Sequence, residues 1–203
     1  VTVSSLSPNQ ARQFHRPEAV VIGASSGAIE ALSAILPKLP SVFPLPIMVV
    51  VHMPPDNKSV IVDLFRSKCE LRVKEAEDKE SLQGGIVYFA PPDYHLLIEP
   101  DRRLSLSSEE PVHFSRPAID VLFETAAEAF GSGLIGIILT GANCDGAQGL
   151  KAVLDAGGIS IAQTPSLAHS PAMPQAALDA CPIAASMSLE QIGTYLQEIS
   201  PSE

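Results

Sequence analysis

Three side chains with complementary chemistry lie far apart in the chain: Ser25, His52 and Asp145. Ser25 is the middle residue of Gly23-Ala24-Ser25-Ser26-Gly27, a G-x-S-x-G pattern within "VVIGASSGAIEAL" (20–32). Small neighbours let a strand-to-helix turn bend sharply and leave the central hydroxyl exposed. A serine in that place becomes a nucleophile only if a base takes its proton and a third group orients the base. His52 closes the apolar run "IMVVV" and is followed by Met53-Pro54-Pro55, which stops a strand. Asp145 stands in "LTGANCDGAQGL". Each residue also has a plainer explanation. Ser25 or Ser26 could cap the next helix, His52 could be a hydrogen-bonded residue ending a buried strand, and Asp145 could N-cap a helix over 146–155.

The elements that must position these groups are legible from the apolar pattern. "AVVIGA" (19–24), "IMVVV" (47–51) and "LIGIILT" (134–140) are continuous runs rich in β-branched residues. Such runs fit strands buried on both faces of a parallel sheet. Helical patterns lie between them. Ile29, Leu32 and Leu36 recur at helical spacing. Ile119, Leu122, Phe123, Ala126 and Phe130 form a longer stripe, with Ser115 as expected cap and Pro117 in the first turn. "SLEQIGTYLQEI" (188–199) opens with Ser188 and Gln191 in capping-box spacing. Residues 84–107 predict a hairpin, with turns at Pro91-Pro92-Asp93 and Pro100-Asp101, set into the sheet.

Strand–helix alternation predicts an α/β fold. The expected form is a doubly wound, mainly parallel sheet with helices on both faces and one antiparallel hairpin. It forms a single domain over 17–200, preceded by a polar linker or arm at 1–16. Ligands of such sheets sit beyond the carboxyl ends of the strands. The serine, the histidine and the aspartate each lie at or just past such an end.

Composition excludes several classes. The 203 residues are 46% apolar and 18% charged, with a formal net charge of −10. An acidic chain without clustered Lys and Arg does not bind nucleic acid by a basic face. No run reaches the roughly 18 apolar residues of a membrane span, so no direct membrane insertion is expected. Cys69, Cys144 and Cys181 are odd in number and widely spaced, which points to a reducing, cytoplasmic compartment. No spacing of His52, His95 and Asp145 suggests a metal site. A dinucleotide reading of the glycine-rich turn fails at the second strand, which ends in "VVVHMPP" without the acidic residue a ribose requires. Tyr88, Tyr94 and Tyr195 also lack the Lys four residues on that a short-chain dehydrogenase uses.

"VVIGASSGAIEAL", "VVVHMPP", "SRPAIDVLFETAA", "IILTGANCDGAQGLKAVLDAGG" and "AQTPSLAHSPAMPQAAL" together resemble, in order and spacing, the catalytic domain of the chemotaxis protein-glutamate methylesterases, the CheB family. The resemblance covers about residues 17–195. It implies a serine hydrolase without cofactor. Such an enzyme removes methyl esters from glutamate side chains on the cytoplasmic helices of methyl-accepting chemotaxis receptors, and deamidates certain receptor glutamines. It places the nucleophile on Ser25, the base on His52 and the orienting acid on Asp145. Oxyanion donors are expected at the Ser26 N–H and in the loop 141–144, which holds Ala142 and Asn143. Tyr94 and His95 are expected near the rim, as substrate contacts or as turn packing. Arg116 is expected at an acidic receptor surface or at a solvated helix start.

The chain departs from the family pattern at several points. It has "GASSGA" where the family shows "GASTGG", and Ala142-Asn143 where the family has Met-Gly. A non-glycine at 143 could change the loop's dihedrals. "HFSRPAID" also differs from the usual histidine-containing version of that segment. Full-length members carry an amino-terminal receiver domain. Residues 1–16 are too short for one, so the receiver domain is expected to be absent from this chain. A non-catalytic relative that binds receptors or signalling partners is the alternative reading.

Overall fold

A computed structural model describes residues 16–52 and 60–199. Met53-Pro54-Pro55 and nearly all of the expected arm lie outside the described residues. The three β-branched runs form adjacent strands: β1 (Ala19–Ala24), β2 (Ile47–Val51) and β7 (Leu134–Ile138). They sit at the centre of a seven-stranded sheet. Its other members are β3 (Arg72–Glu75), β4 (Ile86–Phe89), β8 (Ile159–Gln163) and β9 (Ala185–Met187), in the order β3-β4-β2-β1-β7-β8-β9. Every pairing in this sheet is parallel. The chain winds outward from β1 through β2 to one edge, then crosses to β7 and winds to the other. The reversal of strand order therefore falls between β1 and β7, where sheets of this kind open a crevice.

Alternate residues of β1 feed two cores, as the period-2 geometry of a strand requires. Val20 and Ile22 pack with α1 (Ala28–Ile35), α2 (Val60–Lys68) and α6 (Leu189–Gln197). Ala19 and Val21 pack with α3 (Ile119–Phe130), α4 (Ala147–Asp155) and α5 (Ala172–Ala180). Helices on both faces explain why these strands read as unbroken apolar runs.

Several local expectations change. The hairpin is real: β5 (His95–Ile98) pairs antiparallel with β6 (Leu104–Ser107). It forms its own two-stranded sheet instead of entering the large one. Leu96, Ile98 and Leu104 join the core around α3, so the hairpin is anchored by its buried face. In α1 the buried stripe is Ala28, Ala31, Leu32 and Ile35, while Ile29 is exposed. Ser188 and Gln191 do form the capping box of α6.

Candidate active site

Register brings Ser25 and His52 together. β1 and β2 run parallel with Ala24 opposite Val51. The next residue of each strand is Ser25 and His52. Neighbouring strands lie about 5 Å apart, so the two residues leave the sheet side by side. The His52 N–H donates to the Ala24 carbonyl at 3.0 Å, and the Ser25 N–H donates to the Thr140 carbonyl at 2.9 Å. Ser25 is half-buried and Ser26 exposed.

Neither serine caps α1. The N-cap is Gly27, at φ 84°, and no side chain bonds the helix start. The Ser25 hydroxyl makes no hydrogen bond among the described residues. Gly27 is needed on two counts. Its left-handed backbone suits glycine, and a Cβ there would meet the Cβ of His169 at 2.7 Å.

Asp145 does not cap α4 either; Gly146 holds that place without a side-chain bond. The Asp145 side chain is fully buried and turns the other way. Its Oδ2 accepts from His52 Nε2 at 2.8 Å and from the Ile119 N–H at 2.7 Å. Its Oδ1 accepts from the Asp120 N–H at 2.9 Å. Asp145 thus caps α3 from a distant part of the chain, with its charge at the positive end of the helix. Burial alone pushes its pKa up. The bonds from His52, Ile119 and Asp120 outweigh burial and hold the carboxyl below its ordinary value.

This arrangement replaces the expected cap of α3. Ser115 makes no cap bond, and the helix starts at Ile119 with Ala118 as N-cap. The Ala118 N–H donates to His95 Nδ1 at 3.1 Å, and His95 Nε2 donates to the Glu110 carbonyl at 3.1 Å. His95 is 2% exposed. It does not stand at the rim, because both ring nitrogens hold backbone groups below the site. Tyr94 beside it is exposed. Arg116 is not free for a receptor surface. Its guanidinium bonds Asp93 and the carbonyls of Ser108 and Glu109, fastening the turn before β5 to the segment after β6.

Asn143 approaches the site by its side chain. Its Oδ1 accepts from the Asp145 N–H at 3.2 Å, and its Nδ2 lies 3.3 Å from His52 Nδ1. Asn143 is not among the non-glycine residues at positive φ, so the departure from glycine leaves the loop unstrained there. The Gly141 N–H donates to the Ser170 carbonyl. The N–H groups of Ser26, Ala142 and Asn143 have no acceptor among the described residues. They are therefore available to a ligand.

Two residues escaped the sequence reading. Thr140 is buried, and its hydroxyl donates to the Ser26 carbonyl at 2.8 Å while accepting from the Ser170 N–H at 2.8 Å. It ties the serine turn to the segment that leads into α5. Only its place at the end of a strand run hinted at this. Asp120 is buried, accepts from the Gly149 N–H at 2.7 Å and faces His113 Nε2 at 3.3 Å. Burial and the nearby Asp145 charge raise its pKa. Beside the loop runs a shallow groove lined by Ala142, Ser170, Pro171, Ala172 and Gln175. The three cysteines are free thiols, with Cys144 exposed. Among the described residues no cluster of three or more His, Cys, Asp or Glu could hold a metal ion, and no helix is long and apolar enough to cross a membrane.

Comparison with known proteins gives a consistent result. The family model described as CheB methylesterase matches residues 20–196. A putative protein-glutamate methylesterase/protein-glutamine glutaminase of Leptospira interrogans is 49% identical over 175 residues, covering 86% of this chain and 91% of that protein. A protein-glutamate methylesterase/protein-glutamine glutaminase of Archaeoglobus fulgidus is 38% identical over 163 residues. The match covers 79% of this chain and 47% of that longer protein. The crystal structure of the Thermotoga maritima CheB methylesterase catalytic domain superposes with a TM-score of 0.85 at 35% identity, covering 90% of this chain and 98% of that one.

Proposed function

This chain belongs to the CheB methylesterase family, and from that premise we propose that it hydrolyses γ-methyl esters of protein glutamate side chains, with Ser25, His52 and Asp145 as its catalytic triad. The observation that carries the reading is the His52–Asp145 bond of 2.8 Å, made directly beside Ser25 at the strand ends. A buried carboxylate held ionised fixes the imidazole and stabilises its protonated form.

The polarity of the imidazole follows from that bond. Asp145 Oδ2 can only accept, so Nε2 carries the proton and Nδ1 is the basic nitrogen. The Ser25 hydroxyl gives its proton to Nδ1 as Oγ attacks the ester carbonyl. The oxyanion forms against N–H groups of Ser26 and of the 142–143 loop. Collapse returns the proton from Nδ1 to the departing methanol. Water, deprotonated by the same nitrogen, then releases glutamate and restores Ser25. A glutamine amide would follow the same course with ammonia as leaving group.

The substrate is a glutamate on a cytoplasmic helix of a methyl-accepting chemotaxis receptor, and the enzyme works in the cytoplasm. The groove from Ala142 to Gln175 lies beside the 142–143 loop and would receive neighbouring side chains of that helix, with the exposed Tyr94 as a further contact. No observation favours a purely binding role. The Ala142-Asn143 pair that could have supported one leaves its N–H groups available.

The decisive measurement is methanol release from a methylated receptor fragment, with fluorophosphonate labelling in parallel. The wild type should release methanol and label at Ser25. Ser25→Ala should do neither, with a loss of about 10⁴-fold or more, while its circular dichroism is unchanged. Near-normal turnover by Ser25→Ala would overturn the nucleophile assignment.

A further inference from the structure

We propose that Asn143 is a positioning residue that caps the catalytic base in the resting enzyme, holding His52 Nδ1 until substrate displaces it. The inference rests on the hydrolase reading above and extends it to how readily Ser25 is activated.

The geometry fixes both ends of the Asn143 carboxamide. Oδ1 accepts from the Asp145 N–H at 3.2 Å, two residues on, which is the local turn favoured by asparagine. That contact orients the amide, so the group pointing at His52 is the NH2 donor, 3.3 Å from Nδ1. On the ring, Asp145 keeps the proton on Nε2, so Nδ1 offers a lone pair. Donor and acceptor therefore match. The lone pair filled by Asn143 is the one that must take the Ser25 proton, and Ser25 Oγ has no hydrogen bond among the described residues.

Once Nδ1 is protonated, an N–H donor in front of it is repulsive. Asn143 must therefore swing away as the proton moves. Its Asx turn is a single neutral bond on a half-buried loop residue, which is weak enough to yield. A glycine at this position has no such group. The chain thus carries a brake on its own base, one that a docked substrate competes against.

The test compares wild type with Asn143→Ala and Asn143→Asp. Alanine is tolerated because the backbone at 143 does not require φ > 0. Inactivation of Ser25 by a fluorophosphonate reads base-assisted nucleophilicity without a receptor. Asn143→Ala should be inactivated roughly two- to tenfold faster, the range expected for one neutral hydrogen bond. Asn143→Asp keeps the acceptor for the Asp145 N–H but sets an acceptor in place of the donor facing Nδ1, so the brake is lost there too and it should also be inactivated faster than wild type. In ¹⁵N spectra the His52 Nδ1 resonance should move in Asn143→Ala as its hydrogen bond is lost. A purely structural role would not speed labelling. Equal or slower inactivation of Asn143→Ala, or an unmoved Nδ1 resonance, overturns the proposal. A wild type that resists labelling overturns the hydrolase reading and the brake with it, an outcome distinct from a labelled wild type matched by Asn143→Ala.

Discussion

His52 and Asp145 are 93 positions apart in the chain and 2.8 Å apart in the fold. The same Asp145 oxygen also accepts from the Ile119 N–H, so the imidazole and the start of α3 share one carboxylate. The group proposed to orient the base is thus also part of the core's support. Changes to it should affect activity and stability together.

The first prediction concerns acid. Asp145 has a depressed pKa, so the unfolded chain binds its proton at higher pH than the folded chain does. Its stabilising contribution is complete above the ordinary value of about 4 and is lost as pH falls from there through the folded value. Asp120 has a raised pKa. Between its folded value and about 4, the folded chain binds the extra proton, and stability rises as pH falls. Urea unfolding across this range should therefore show two windows. Asp145→Asn should flatten the lower one and Asp120→Asn the upper one. A lower slope unchanged in Asp145→Asn would refute the assignment.

Thr140 joins the serine turn to the segment before α5. Thr140→Val keeps the shape but removes both hydroxyl bonds, leaving the Ser170 N–H and the Ser26 carbonyl short of a partner. The expected stability loss is about 1–3 kcal/mol. The rate should also fall, because the oxyanion site proposed above includes the Ser26 N–H. Denaturant midpoints and kcat, measured on one preparation, test both parts. A variant as stable and active as wild type would show that the tie is dispensable.

Gly27 admits no side chain. Gly27→Ala combines a left-handed residue, at about 1–2 kcal/mol, with a 2.7 Å approach to His169 Cβ. His169→Gly in the same chain should relieve the steric part and leave the backbone part. Partial recovery of melting temperature in the double variant is the expected result. No recovery at all would mean that the His169 contact does not matter.

His95 separates a positioning role from substrate contact. Both of its nitrogens hold backbone groups at the start of α3. His95→Ala should lower stability by about 1–3 kcal/mol and lower kcat through the Asp145 cap, with KM nearly unchanged. A raised KM at unchanged stability would instead place His95 against substrate.

The sequence by itself determined the sheet and the three strand ends. Runs such as "AVVIGA" and "IMVVV" fit strands buried on both faces of a parallel sheet, and such a sheet collects whatever follows its strands at one edge. Ser25, His52 and Asp145 were legible for that reason. Tertiary structure alone decided what each polar group touches. The hydroxyls of Ser25 and Ser26 are left uncapped because glycine starts α1. The Asp145 carboxylate goes to α3 instead of its own helix, and His95 turns inward to Ala118. Such choices depend on which orphan N–H groups at a helix start find an acceptor across the fold, and linear spacing carries no record of partners 20 to 100 residues away.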